Sequence, residues 1–208
     1  MVAAIDATGL ESRHVSVYFS IRRAAGEPRE FRCQHWRQRY WPKLTTVIDT
    51  ASHLVLAAVP ELGPSQDSPS FTPAMRQASA QLRRLGLTPG AALADAAYDA
   101  EHNHRLCHEE LGIATTAIKV NPRRTRHSHR WPVTHYRRAM RRAFPRTLYQ
   151  QRWQAESVFS RLKRHLGAAL TARRAPAQDR ELLLRVLTHN VALLWRTVAG
   201  FQQSNRTI

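Results

Sequence analysis

Two unbroken apolar runs constrain this chain most: residues 2–5 (VAAI) and 91–94 (AALA), each stopped by an aspartate, Asp6 and Asp95. The first reads as a short strand ending in an acid, and the second, a continuous apolar run, as a strand covered on both faces. More β-rich segments surround them: 15–21 (VSVYFSI), 43–50 (KLTTVIDT) and 53–59 (HLVLAAV), the last two around a turn at Ala51 and Ser52. The turn-rich GPSQDSPSFTP (63–73) leads into a helix over about 74–85, which Gly86 ends. Asp99 is placed to N-cap a helix over 100–111, and IATTAI (113–118) reads as another strand. Two long helices, about 147–166 and 179–199, close the chain. Strands first, then strand–helix alternation, then terminal helices predict an α/β domain with a mixed sheet flanked by helices.

At 208 residues the chain has the length of a single domain. Its charge is extreme: 32 Lys and Arg against 15 Asp and Glu, a net +17. Only Lys43, Lys119 and Lys163 are lysines. The planar arginine fork suits bidentate phosphate contact, so a polyanionic partner, nucleic acid first, is expected. Cys33 and Cys107 form no CxxC, which argues against a disulfide scaffold or a zinc ribbon. The start MVAAIDATGL lacks the basic-then-apolar pattern of a signal peptide. The late run over 182–200 is interrupted by Arg185, His189, Asn190 and Arg196, so it reads as a buried helix and not a membrane span. The expected location is the cytoplasm.

Residues 111–155 carry eleven Lys and Arg and no acid, and then Glu156 appears in YQQRWQAESVFSRLK (149–163). On a helical wheel Tyr149, Arg152, Glu156 and Lys163 fall within a stripe about 60° wide. Leu148, Ala155, Phe159, Leu162 and Leu166 form the adjacent apolar face. The ordinary reading of Glu156 is a rim carboxylate paired with Arg152 at i,i−4. The alternative is a cation site: Asp6 and Asp95 close their strands where side chains converge on a cleft, and paired divalent ions need several carboxylates. A surface that binds DNA has little use for acids unless a cation sits among them.

The spacing Tyr149-x2-Arg152-x3-Glu156-x6-Lys163 resembles the Tyr-Arg-Glu-Lys signature of bacterial insertion-sequence transposases of the type-four DDE group. LADAAYDAE (93–101) is similar to that family's stretch around its second catalytic aspartate, IDATGL (5–10) to its first-aspartate strand, and LVLAAVPELGPSQDSPSF (54–71) to the segment before the next helix. The resemblance runs from about residue 3 to 200. It implies an RNase H-like fold, Mg2+ or Mn2+ as cofactor, and strand cleavage and transfer on DNA, with transposon ends and target as partners, no membrane, and a homodimer in the DNA complex. By the same resemblance Asp6, Asp95 and Glu156 are the catalytic, metal-binding triad. Tyr149, Arg152 and Lys163 then contact transposon-end DNA near the cleaved phosphate. The domain expected is a single catalytic unit over 1–208, with a basic linker at 119–146, a helical part at 179–199, and no N-terminal end-binding domain. An RNase H-like nuclease and an inactive basic DNA-binding remnant are the alternatives.

Other residues compete for these roles. Asp49 also follows an apolar run and rivals Asp6, Asp99 rivals Asp95, and Asp67 reads as a turn or cap residue. His104 and His108 are spaced i,i+4, but no Cys or Glu completes a zinc tetrahedron, so these histidines, with His102, His127 and His129, read as solvated or DNA-facing. Within the basic stretch Arg123, Arg124, Arg126, Arg137 and Arg138 are candidate phosphate contacts, interleaved with Trp131 and Tyr136.

Overall fold

The computed structural model describes residues 1–12, 41–121 and 132–204, with side chains described as far as residue 199. The expected strand over 15–21 and Arg123, Arg124, Arg126, His127, His129 and Trp131 lie outside the described residues. The strands are β1 (Val2–Gly9), β2 (Glu11–Ser12), β3 (Trp41–Asp49), β4 (Val55–Gly63), β5 (Ala91–Ala94), β6 (Thr115–Ile118) and β7 (Ala169–Leu170). The helices are α1 (Ser68–Arg83), α2 (Glu101–Arg105), α3 (His135–Arg142), α4 (Arg146–Tyr149), α5 (Trp153–Leu166) and α6 (Ala175–Ser204).

Five strands form one sheet in the order β4-β3-β1-β5-β6. β1 pairs antiparallel with β3 and β3 antiparallel with β4, while β5 and β6 continue parallel to β1. The sheet is therefore mixed, with β1 at its centre. Alternation along the strands feeds two cores. Ala3, Ile5, Val47 and Ala57 point to one side, with Phe71 and Met75 of α1 and Leu106 and Cys107 beyond α2. Ala4, Leu44, Ile48 and Leu93 point to the other, against Val158, Phe159 and Leu162 of α5 and Leu182 and Val186 of α6. Cover on both faces is why all four residues of β5 are buried and why its sequence does not alternate. Burial also pushes the Cys107 thiol up to about 12, so it behaves as a small apolar core residue.

Several elements depart from what the sequence suggests. α1 begins at Ser68 inside the turn-rich segment, because Pro69 in the first turn needs no partner for a missing N–H. Burial of Phe71, Ala74 and Met75 then holds the helix through Pro73. It stops at Arg83, and Gly86 follows in the left-handed region at φ 68°. α2 is a single turn that continues as a π-helical turn over Leu106–Glu110. Part of the stretch expected to be a basic linker is the ordered helix α3. α6 is longer than 179–199, and it is not buried all round: Leu182 and Val186 are covered, while Leu187, Leu194 and Trp195 are exposed. Among the described residues, no helix is long and apolar enough to cross a membrane.

Candidate active site

The strand register brings the two aspartates together. β1 and β5 align Val2 with Ala91 and Ala4 with Leu93, and continuing that register sets Asp6 beside Asp95, one residue past the end of β5. Ala4 and Leu93 face α5. Two residues further along each chain, alternation turns Asp6 and Asp95 to the same side. Asp95 is extended and its Oδ1 accepts the Ala97 N–H at 2.8 Å, capping the 3-10 turn Ala96–Tyr98. α4, a 3-10 turn over Gln150–Arg152 and α5 follow one another in near-continuous helix, and this run lays Arg152 and Glu156 over β1.

Arg152 is the hinge of the cluster. Its Nη1 donates to Asp6 Oδ2 at 2.9 Å and its Nη2 to Glu156 Oε1 at 2.6 Å. One guanidinium bridges both acids, so their nearest carboxylate oxygens lie no more than about 8 Å apart. The ordinary i,i−4 pairing of Glu156 and the gathering of distant acids are thus the same contact. Burial raises the pKa of Asp6; the Ala7 N–H, 2.9 Å from Oδ1, and Arg152 lower it, and the charges of Asp95 and Glu156 raise it again. The net shift is upward, which is what crowded, partly desolvated carboxylates produce. Asp6 therefore feels the charge of both other acids.

Tyr149 stands beside this cluster, its ring 6.0 Å from the Arg152 guanidinium and edge-on to Phe144 at 4.9 Å. Burial raises its hydroxyl pKa, Arg152 lowers it, and the charges of Asp95 and Asp6 raise it. A groove lined by Lys119, Met140, Arg141, Phe144 and Arg146 begins at Tyr149. Lys163 lies farther along α5, beside Thr8 and Leu10 and not among the acids. Arg138 is exposed and lines the other side of α3 with Arg142.

The rivals resolve into scaffold. Asp49 pairs in register with Ala3, at the far end of β1 from Asp6, and its Oδ2 accepts from the Ser52 N–H and hydroxyl to close the β3–β4 turn. Asp67 occupies the N-cap position of α1, but its carboxylate turns to Lys43. Asp99 does not cap α2, whose N-cap is Ala100. Its buried carboxylate receives Nε and Nη2 of Arg137 at 2.8 and 2.7 Å and the Asn121 N–H at 2.9 Å. Arg137 is thereby engaged in anchoring α3, which takes its fork away from the phosphate contact expected of it. Histidines 104 and 108 both meet Thr116 Oγ1, at 2.8 and 3.0 Å, and Tyr136 stacks on both rings. They are packing residues rather than solvated ones, and burial brings His104 down to about 4.

Sequence reasoning missed the side chains that hold the site in place. Gln151 Oε1 accepts from the Thr50 hydroxyl at 2.9 Å and Gln154 meets His53 Nε2 at 2.6 Å, tying the start of α5 to the β3–β4 turn. Glu101 accepts from the Tyr136 and Arg137 N–H groups at 3.0 and 3.2 Å and so caps α3 from a neighbouring helix. Burial raises the pKa of Glu101, but these bonds outweigh it and the net shift is downward. Thr46, directly across from Asp6, is buried with no hydrogen-bond partner for its hydroxyl among the described residues. No periodicity marks such residues, because each acts through a partner distant in the chain.

Comparison with known proteins covers nearly the whole chain. The chain matches a family described as Transposase DDE domain over residues 1–191. Among solved structures it is similar to a cryo-EM structure of the piggyBac transposase synaptic complex with hairpin DNA, at 10% identity and a TM-score of 0.55. That match covers 97% of this chain and 48% of the other, so the chain spans about half of that protein's length. At such low identity the likeness concerns the fold: a mixed five-stranded sheet flanked by helices, consistent with an RNase H-like domain.

Proposed function

Because the chain belongs to the transposase DDE-domain family, we propose that it is a catalytic core for metal-dependent DNA strand cleavage and strand transfer. Asp6, Asp95 and Glu156 are the acids that hold the metal in this reading. The observation that carries it is the single guanidinium bridging Asp6 and Glu156 while Asp6 feels the charge of Asp95. Arg152 joins two acids 150 residues apart in sequence, and the third acts on one of them through its charge, which supports the reading.

The donor set suits Mg2+ or Mn2+, since hard cations take oxygen ligands and the site offers carboxylates from three elements. Thr46 adds a buried hydroxyl without a partner among the described residues. Among the described residues, no three His, Cys, Asp or Glu groups are already closed around one ion position. The Arg152 guanidinium stands between two of the acids, as a cation within the cluster. When bound there, a divalent ion supplies a Lewis acid that lowers the pKa of an attacking water or 3′-hydroxyl and neutralises charge on the phosphate.

The chain's own groups do the rest. Arg152 can exchange carboxylate oxygens for phosphate oxygens, which suit its fork equally well. Tyr149 offers a ring face or hydroxyl, and the groove with Lys119, Arg141 and Arg146 carries the backbone away from the acids. Arg138 and Lys163 extend the positive surface on either side. The Tyr149, Arg152, Glu156 and Lys163 spacing supports placement among insertion-sequence transposases.

The test is nicking and joining of duplex DNA bearing the element's ends, in Mg2+ or Mn2+. Glu156→Gln should lower the rate at least about 1,000-fold, the scale of removing a metal-organising or charge-stabilising group. Folding and salt-dependent DNA binding should be retained. Full activity in Glu156→Gln and Asp95→Asn would overturn the site. Metal-independent binding with no cleavage in the unmodified chain would leave the DNA-binding remnant.

A further inference from the structure

We infer that Thr46 is a positioning residue for Asp6, its hydroxyl taking over the carboxylate oxygen that Arg152 releases. This role rests on the reading of Asp6 as a metal-holding acid. Thr46 sits on β3 directly across from Asp6 and, on its other side, from Ala58 of β4. Residues paired across antiparallel strands point to the same face. Leu44 and Ile48, two residues either way along β3, share that face and pack towards α5. The side chain of Thr46 is therefore flanked by Leu44, Ile48, Ala58 and Asp6, and of these only Asp6 is polar. Thr46 is fully buried, and its hydroxyl has no hydrogen-bond partner among the described residues. Buried hydroxyls are nearly always paired, because an unmade bond leaves the cost of desolvation unmet. Valine has the same shape without that cost, so the hydroxyl at this position calls for a use.

The use is set by what Arg152 does. Asp6 Oδ1 accepts from the Ala7 N–H at 2.9 Å, and Oδ2 from Arg152 Nη1 at 2.9 Å. Both oxygens have a donor, and Thr46 is left out. The same guanidinium is the group that exchanges carboxylate for phosphate. Once it turns away, Oδ2 loses its donor and the carboxylate is free to swing. Cross-strand Cβ atoms lie about 4.5–5.5 Å apart, so one rotation of the Thr46 χ1 brings its hydroxyl within bonding distance of Asp6. Carboxylates that ligate a metal are themselves held by hydrogen bonds of this kind. Thr46 thus stands aside while Arg152 is engaged and holds Asp6 when Arg152 leaves.

The experiment is a double-mutant cycle, read by urea unfolding of the full chain at pH 7 without metal, in which Arg152→Met removes the competing donor. In the otherwise unmodified chain Thr46→Val should raise the unfolding midpoint, because it deletes an unpaired buried hydroxyl. In the Arg152→Met chain it should lower the midpoint, because the hydroxyl is then bonded to Asp6. The two shifts should differ by at least about tenfold in the unfolding equilibrium constant. A second measurement, independent of Arg152→Met, is Mn2+ binding followed by electron paramagnetic resonance. Thr46→Val should weaken binding about 10–100-fold, while Thr46→Ser, which keeps the hydroxyl, should bind as the unmodified chain does. Equal shifts in both backgrounds overturn the inference. So does a Thr46→Val chain that binds Mn2+ as tightly as the unmodified one, or a Thr46→Ser chain that binds it no better than Thr46→Val. An unmodified chain that binds no Mn2+ overturns the metal site itself, and the cycle, which needs no metal, then still decides whether the hydroxyl moves to Asp6.

Discussion

Replacing Arg152 with glutamine tests the electrostatics on which the site depends. The side chain keeps most of its length but loses the charge shared by Asp6 and Glu156, 2.9 and 2.6 Å away. Hydrogen bonds to charged groups contribute roughly 1.5–3 kcal/mol, and the bond to exposed Glu156 adds little, so screening at this rim leaves about 1–2 kcal/mol. For a domain of this size that corresponds to about 2–6 °C in melting midpoint. The pH dependence is more diagnostic than the size. Asp6 already titrates above its usual range, Arg152 is one of the groups holding it down, and removing that cation raises it further. A carboxyl whose pKa is higher folded than unfolded destabilises the fold when ionised. That penalty fades as pH falls through the folded pKa toward the unfolded value of about 3.9. The deficit of the variant should therefore be full at pH 8 and shrink toward pH 4, measured by urea unfolding without metal. Mn2+ should stabilise the variant more than the unmodified chain, because the ion replaces the missing cation among the acids. A variant equal to the unmodified chain at every pH, with no added response to Mn2+, would refute the coupling.

Three further outcomes follow from the same contacts. Asp6→Asn should abolish metal-dependent cleavage yet raise, not lower, the unfolding midpoint at pH 7, and calorimetry should show that gain fading toward about pH 4. Arg137→Met should cost about 3 kcal/mol in urea unfolding, because it removes the guanidinium paired with the buried Asp99 carboxylate, and Asp99→Asn in the same chain should restore part of it. Phe71→Ala, at a site with 0% exposure, should cost about 3–5 kcal/mol, read from the same denaturation curves.

Much was legible from local pattern. The runs before Asp6 and Asp95 declared strands, and for residues 91–94 cover on both faces is what removes polar alternation from the sequence itself. The 3.6-residue period of 153–166 placed Glu156 beside an apolar face, and that face is where α5 meets the sheet. Turn chemistry misled in one place: the prolines at 69 and 73 suggested a loop, but burial of Phe71 and Met75 outweighs the propensity of a first turn. Asp95 and Asp99 look alike in sequence, each at the end of a short apolar step. Only the fold separates them, by bringing Arg137 to one and leaving the other among the acids.

The chain by itself determined the class of fold, its excess of positive charge and the spacing of its acids, since these rest on short-range periodicity and composition. Tertiary structure decided which charges meet: Arg152 between Asp6 and Glu156, Glu101 at the start of α3, and Gln151 and Gln154 at the β3–β4 turn. It also decided that α6 covers the core with one face and leaves the other bare. Coulombic and hydrogen-bonded pairings depend on distance in space, and residues 146 apart in sequence, such as Asp6 and Arg152, become neighbours only after the sheet and its helices have packed.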